Sequence, residues 1–263
     1  MAAEPSVSFI GSGNLAWHLA PALDNAGFVV KEVYSQNPKH AAALTGRLYQ
    51  AEVKATLDFS TSPSRIFFIA VSDDAIENIV RNTILPEDAC LAHTSGSQPL
   101  SILNFAATDA IGVLYPLQTF SKNKKVDFKE VPIFIEANNT GTEHQLSSLA
   151  KSISRRVALI ASEERKALHV AAVFASNFTN HMLTISKNIL EENSLNFDLL
   201  KPLIQETITK SLSLGPENAQ TGPASRGDLE VLDRHLDFLQ DSPEWAEIYK
   251  KVSQHIIDTY QSE

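Results

Sequence analysis

Cysteine is nearly absent from this 263-residue chain. A single Cys90 rules out an intrachain disulfide and any metal cluster built on cysteines. It opens an apolar run and reads as a small buried hydrophobe rather than a nucleophile. Positive charge is also scarce. Lysine and arginine total 22 against 31 acids, a net charge of −9 with pI near 5.4, which argues against a nucleic-acid surface while leaving room for a local phosphate pocket. Long apolar runs are missing too. Stretches such as Ile66 to Val71 fall far short of the roughly 20 residues that cross a bilayer. The chain passes from Met1 into its first expected strand within about six residues, too few for a signal peptide. The expectation is therefore a cytoplasmic protein with no membrane partner, no nucleic-acid partner and no metal. There is no internal repeat, low-complexity tract or long linker. What is present is an ordinary globular composition, 43% hydrophobic and 20% charged, long enough for one large or two smaller domains.

The most informative stretch is Val7-Ser8-Phe9-Ile10-Gly11-Ser12-Gly13-Asn14-Leu15-Ala16. It reads as an apolar strand, a glycine turn and a helix start, with the spacing GxGxxA. Gly11 permits the tight turn, Gly13 lets backbone approach a pyrophosphate, and Ala16 lets helix and strand pack closely. The helix N-terminus then offers free N–H groups and the positive end of its dipole to phosphate. These features point to Gly11, Ser12, Gly13, Asn14 and Leu15 as nucleotide-binding residues. The bland alternative is a structural strand–helix turn.

Strands and helices alternate through the first half. Strands are expected at Val7–Ile10, Phe28–Tyr34, Ile66–Val71, Ala89–His93, Ile111–Leu114 and Val131–Glu136. Helices are expected at Asn14–Asn25, from Pro38 to about Thr45, at Asp73–Asn82 and at Leu100–Ala106. This order predicts an α/β fold, a Rossmann-type, mostly parallel sheet with helices on both faces. Near residue 162 the strand pattern stops. Helical periodicity covers Glu163 to about Glu192, Asp198–Leu214, Asp228–Gln240 and Pro243–Tyr260, broken by turn signals at Gly215-Pro216 and Gly222-Pro223. The expected organisation is a dinucleotide-binding domain over 1–161 and an all-helical substrate or dimerisation domain over 162–263.

The end of the second strand bears on which nucleotide binds. An NAD site usually carries an acid there for the ribose hydroxyls. This chain has Tyr34-Ser35-Gln36-Asn37, with no acid, followed by Lys39 and His40 at a helix start. Ser35, Gln36 and Asn37 can donate to a 2′-phosphate and Lys39 can attract one, so NADP is favoured over NAD. The alternative is a polar turn that merely caps a helix.

A second signal lies on the long helix. Its circumference is mostly apolar, so burial is expected. Yet Lys166, His169, Asn177, Asn180 and Thr184 share one narrow face at about 100° per residue. Buried polar groups without partners cost roughly 1–3 kcal/mol each. Such a stripe implies either a ligand-filled cleft or a helix–helix or dimer interface with bonded asparagines. Three strand ends should face the same cleft: Ala70-Val71-Ser72-Asp73, His93-Thr94-Ser95-Gly96-Ser97 and Tyr115-Pro116-Leu117-Gln118-Thr119, because ligands in open parallel sheets bind beyond the carboxyl ends of strands. Ala70, Val71 and Ser72 are assigned to the cofactor, and Ser95 and Gln118 to the substrate. His93 reads as structural, and the Thr94–Ser97 stretch is equally compatible with a plain helix-capping loop. Arg226, in a rigid loop before the capping residue Asp228, is suited to clamp a substrate carboxylate, or else pairs with Asp228 or Asp233 on the surface.

Together, the glycine turn, His93–Ser97, Gly112-Val113-Leu114-Tyr115-Pro116-Leu117-Gln118-Thr119-Phe120, Ala175-Ser176-Asn177-Phe178 and Thr221–Asp228 resemble a family of NADP oxidoreductases with a Rossmann-like N-terminal domain and a helical C-terminal domain of unknown function. More distantly, the chain is similar to pyrroline-5-carboxylate reductases, deazaflavin-dependent NADP reductases and ketopantoate reductases. The resemblance implies NADP as cofactor and a homodimer formed through the helical domain. Ketopantoate reductases use a lysine and an asparagine on the first helix of the second domain. Lys166 with Asn177 or Asn180 would correspond, although the spacing differs. The expected activity is NADP-dependent transfer of a hydride to or from a small carbonyl or imine bearing a carboxylate. In it, Lys166 or His169 handles the proton, Asn177 and Asn180 orient the substrate, and Arg226 holds its acid group. The rival expectation is a non-catalytic NADP-binding redox sensor or assembly module, since no Ser-Tyr-Lys or His-Asp signature is legible.

Overall fold

Residues 6–261 are described by a computed structural model, and the change of periodicity near residue 162 has a direct counterpart in it. Strand β1 (Ser6–Ile10) and strand β4 (Ile66–Ile69) are buried at every position and pair in parallel. The unbroken apolar run of β4 is typical of a sheet covered on both faces, and β1 buries Ser6 and Ser8 beside its apolar residues. With β2 (Val29–Tyr34), β3 (Glu52–Lys54), β5 (Cys90–His93), β6 (Ala110–Pro116), β7 (Ile133–Ala137) and β8 (Val157–Leu159), they form one eight-stranded sheet in the order β3-β2-β1-β4-β5-β6-β7-β8. All pairs are parallel except β6 with β7. The strand order reverses between β1 and β4, which puts a crevice at their carboxyl ends.

Helices cover both faces. Leu19 and Leu23 of α1 (Asn14–Asn25), Leu44 of α2 (Pro38–Thr45) and Leu146 and Leu149 of α4 (Thr140–Ile153) pack with Phe9, Phe68 and Leu114. On the other face, Ile76 and Val80 of α3 (Ile76–Asn82) pack with Phe67, Ile69 and Leu91. Cys90 is buried in the first of these layers, and burial pushes its thiol pKa up to about 12. Three elements went unread in the sequence. β3 and β8 have three residues each, too short for an alternation to register. α4 does carry apolar residues at Leu146, Leu149, Ala150 and Ile153, and it is capped by the Asn139 side chain on the Thr142 N–H. Its polar N-terminal half hid the pattern. Leu100–Phe105, read as helix, is 3-10.

The chain divides into two compact units, one ending at Asn177 and the other beginning at Phe178. Helix α5 (Ser162–Ala172) starts where the strand pattern ends, but ion pairing of its Arg165 to Glu136 of β7 makes it part of the first unit. A π-helical stretch, Val173–Phe178, follows. The second unit holds α6 (Thr179–Glu192), α7 (Lys201–Leu214), α8 (Pro216–Ala219), α9 (Pro223–Arg226), α10 (Leu229–Phe238) and α11 (Pro243–Tyr260). Among its described residues only Ala224, Leu232 and Leu239 are buried. The expected burial of the long helix does not occur. From Ser162 to Glu192 only Arg165 is buried, and Val170 and Met182 are exposed, because no further layer covers their face in the single chain. The π turns also set the helical phase back, so the even 100° spacing that aligned Lys166 with Asn180 is interrupted between them. No helix among the described residues is long and apolar enough to cross a membrane.

Candidate active site

The glycine turn leaves β1 against the end of β4. Gly11 has φ +116°, and a Cβ there would lie 2.2 Å from the Ala70 carbonyl oxygen, so both conformation and space demand glycine. Its N–H donates to the Tyr34 carbonyl at 2.8 Å, which ties the turn to the end of β2. Gly13 is different. Its φ is an ordinary −69°, and a Cβ would meet only the Ala70 oxygen, at 3.8 Å. The missing side chain keeps space open rather than relieving a clash. Gly13 is the N-cap of α1, with no side chain capping the helix and no acid in its first turn. Its N-terminal N–H groups are thus turned outward with the positive end of the dipole.

A cleft of about 1120 Å³ opens here. Gly11, Ser12, Gly13, Asn14, Leu15, Ser35, Gln36, Asn37, Ala70, Val71 and Ser72, all assigned to a nucleotide from the sequence, line it. Lys39 does not. It is exposed, and its N–H is taken by the capping Asn37 side chain at 3.0 Å, while His40, one helical step on, reaches the cleft. Ser12 Oγ donates to Ser35 Oγ at 3.0 Å, which joins the glycine turn to the loop after β2. Glu32 of β2 stops short of the strand end, ion-paired to Lys54 at 3.0 Å and bonded by Ser8 and Ser62. The segment from the end of β2, Tyr34 to Asn37, holds no acid. Leu57 and Ile79 add apolar wall, and Asp73, Thr94, Ser95 and Lys122 complete the far side. Lys122 carried no signal in the sequence, since it comes from a loop more than a hundred residues after the glycine turn.

The loop after β5 is built on His93. This ring is fully buried and its Nδ1 accepts the Ser95 N–H at 3.1 Å, which leaves the proton on Nε2, where it has no partner among the described residues. Burial, reinforced by the nearby Arg165 guanidinium, lowers its pKa to about 4, so the ring is neutral. Ser95 Oγ accepts the N–H groups of Ser97 and Gln98 at 3.1 Å each, and Ser97 Oγ donates to Asp73. Between the serines, Gly96 lies flat against two rings. A Cβ on it would fall 2.5 Å from His169 Nδ1 and 2.7 Å from Tyr115 Cζ.

Those rings do not line the cleft themselves but lie against Gly96, next to the cleft-lining Ser95. Tyr115 Oη and His169 Nδ1 are 3.0 Å apart, with the rings edge-on at 5.9 Å. Tyr115 is buried at the end of β6, and burial raises its pKa. His169 was singled out from the helix stripe. Tyr115 carries no sequence signal for a role, because its proximity to a histidine 54 positions away is a product of the fold. One turn earlier on α5 sits the buried polar group that the stripe failed to name. The fully buried Arg165 pairs with Glu136 and donates to the Gln98 carbonyl, and Ser162 Oγ donates to Glu136 at 2.8 and 2.9 Å. This network pins α5 to β7 and to the loop that carries Ser95.

The remaining candidates are more dispersed. Lys166, Asn177 and Asn180 are all exposed. Gln118 is exposed, its side chain accepts the Thr119 N–H at 2.8 Å, and it does not line the cleft. Arg226 ends α9, exposed, and has no ion pair with Asp228 or Asp233.

Residues 131–256 match a family model described as a domain of unknown function, DUF2520. No curated protein matches the chain in sequence. A solved structure described as a "putative NADP oxidoreductase" from Bacteroides fragilis is 38% identical, with TM-score 0.86 over 97% of this chain and 98% of that one. A Thermotoga maritima protein is 21% identical, with TM-score 0.70 over 97% and 98%. A reductive aminase from Aspergillus terreus, solved with NADPH and ethyl-5-oxohexanoate, shares the fold at 14% identity, with TM-score 0.72 over 97% and 94%.

Proposed function

This chain belongs to the family of the Bacteroides fragilis oxidoreductase, a Rossmann-like domain followed by a DUF2520 helical domain, and we propose that it is an NADP-dependent oxidoreductase acting on a small carbonyl or imine that bears a carboxylate. The observation that carries this reading is the contrast between its two glycines. Gly11 is forced by the fold, whereas Gly13 guards empty space in front of an uncapped helix N-terminus. That arrangement fits a diphosphate held by backbone N–H groups. Ser35, Gln36 and Asn37, with no acid among them, suit a 2′-phosphate and support NADP over NAD.

When bound, the dihydronicotinamide supplies the hydride, and the protein supplies position and proton. His169 is the better proton donor of the two candidates read from the sequence, because Lys166 is exposed and has no hydrogen bond or ion pair among the described residues. Tyr115 holds His169 at Nδ1, which leaves Nε2 to give a proton to the nascent alkoxide or amine, or to take one in the reverse direction. Gly96 lets the Ser95 loop lie against this pair. Asn177 and Asn180 are proposed to orient the substrate, and Arg226, with no ion pair among the described residues, to hold the carboxylate.

A homodimer through the helical unit belongs to the same proposal. Three buried apolar residues are a thin core for that unit, while Leu199, Leu203, Leu212 and Phe238 stand more than 60% exposed. Light scattering on the purified chain should give twice the monomer mass. For the activity, NADPH oxidation is followed at 340 nm against small keto acids and cyclic imines. Turnover with at least one class is expected. His169→Gln should lower kcat by about 10²- to 10⁴-fold at unchanged NADPH affinity. Silence across the panel from protein that still binds NADPH would favour the sensor reading.

A further inference from the structure

Lys122 reaches the cleft for a reason that hydride transfer does not use. The chain leaving β6 folds back along α1 and is fastened there. His18 of α1 donates through Nε2 to the Ser121 carbonyl at 2.9 Å. The Phe120 ring packs 5.8 Å from His18 and 5.8 Å from Phe128. These contacts deliver the next residue, Lys122, to Trp17, with its ammonium 4.8 Å from the indole centroid. Trp17 stands in the first turn of α1, and its N–H donates to Gly13 at 2.9 Å. The same indole carries the Arg47 guanidinium at 4.2 Å, and Arg47 also donates to the Trp17 carbonyl.

Two cations therefore share one ring at the mouth of an uncapped helix. An aromatic face attracts each of them, but they repel one another, and no carboxylate among the described residues lies in ion-pair range of Lys122. Lys122 is also the one lysine or arginine among the residues lining the cleft. In a chain of net charge −9, a cation held there without a counter-ion points to an anionic ligand. We infer that Lys122 is a diphosphate-binding residue, positioned by Trp17 and by the His18–Ser121 clasp so that its ammonium meets the anion presented at the N-terminus of α1. This inference rests on reading the cleft as a dinucleotide site. The diphosphate is favoured over the 2′-phosphate because Lys122 is moored to the first turn of α1, whereas the loop after β2 carries the groups suited to the ribose end.

The test needs no substrate. Full-length wild type, Lys122→Gln and Lys122→Arg are titrated with NADPH and with NADH, following nucleotide fluorescence and quenching of tryptophan emission. Trp17 and Trp245 are the only tryptophans, so a Trp245→Phe background isolates the emission of Trp17 beside the cleft and leaves the Lys122 contact intact. Lys122→Gln should bind both dinucleotides about five- to tenfold more weakly, by the same factor for each. Lys122→Arg should restore most of the affinity, and raising KCl from 50 to 500 mM should shrink the difference. Melting temperatures should stay unchanged, since Lys122 is exposed. A loss confined to NADPH overturns the diphosphate assignment, and so does unchanged affinity in Lys122→Gln when wild type binds. Failure of wild type to bind either dinucleotide overturns the dinucleotide reading itself, and this inference with it.

Discussion

One methyl group, added at either of two glycines two positions apart, should have opposite consequences. In Gly11→Ala the new Cβ sits 2.2 Å from the Ala70 carbonyl oxygen, more than 1 Å inside ordinary contact, on a backbone with φ +116°. Holding alanine in that glycine-only region costs about 1–3 kcal/mol. Relieving the clash pushes the end of β4 away from β1 and strains the bond from the Ala70 N–H to the Ile10 carbonyl, now 2.8 Å, which is worth about 1 kcal/mol. The sum is roughly 3 kcal/mol, or about 6–12 °C in Tm for a domain of this size. Gly13→Ala keeps φ −69° and meets nothing nearer than 3.8 Å, so only the weaker N-cap is lost, within about 1 kcal/mol. The methyl then occupies the space proposed for the diphosphate. Overfilling a fitted site costs about 1–3 kcal/mol, which places NADPH binding about five- to 150-fold below wild type. Thermal unfolding and an NADPH fluorescence titration on both variants check the argument. It is refuted if Gly13→Ala melts as low as Gly11→Ala, or folds normally and binds NADPH like wild type.

Two further outcomes are expected. The His93 ring titrates near 6.5 when unfolded and near 4 when folded, so between those values the unfolded chain binds the extra proton. The stability that His93 contributes is complete above pH 6.5 and is lost as pH falls toward 4, about 2 kcal/mol of it between pH 7 and pH 5. Urea unfolding at those two pH values should show this slope in wild type and not in His93→Gln; equal slopes would contradict it. Arg165→Met should destabilise the first unit by about 3–5 kcal/mol, because it strands Glu136 without its counter-charge. Adding Glu136→Gln should recover much of the loss, since glutamine still accepts the Ser162 hydroxyl. A double variant no more stable than Arg165→Met in denaturant titration would show that the charge pair is not the cause.

Much of the first unit was legible because its signals are local. The limits of α1 and α2 follow from adjacent residues: a glycine turn before Asn14, and Asn37-Pro38 before the second helix. The cleft residues from Gly11 to Leu15 and from Ser35 to Asn37 were legible for the same reason, since a turn and a strand end declare themselves within a few positions. Lys39 was misjudged on a finer point, the direction in which one helical residue faces, which a neighbouring cap decides. The long helix was misread more deeply. Apolar residues around a circumference predict burial only if a partner layer exists, and in the single chain none covers it.

Sequence alone determined the parallel sheet, the uncapped helix behind two small residues, and the lack of an acid at the ribose end, because each depends on neighbours in the chain and on backbone sterics. Only the folded structure decided that Tyr115 meets His169 under Gly96, that Arg165 rather than the helix stripe is the buried charge, and that Lys122 comes to rest on Trp17. Those contacts join segments about 30 to 105 positions apart. Their existence is set by which strands become neighbours and by what the packed layers leave exposed, and no pattern along the chain records it.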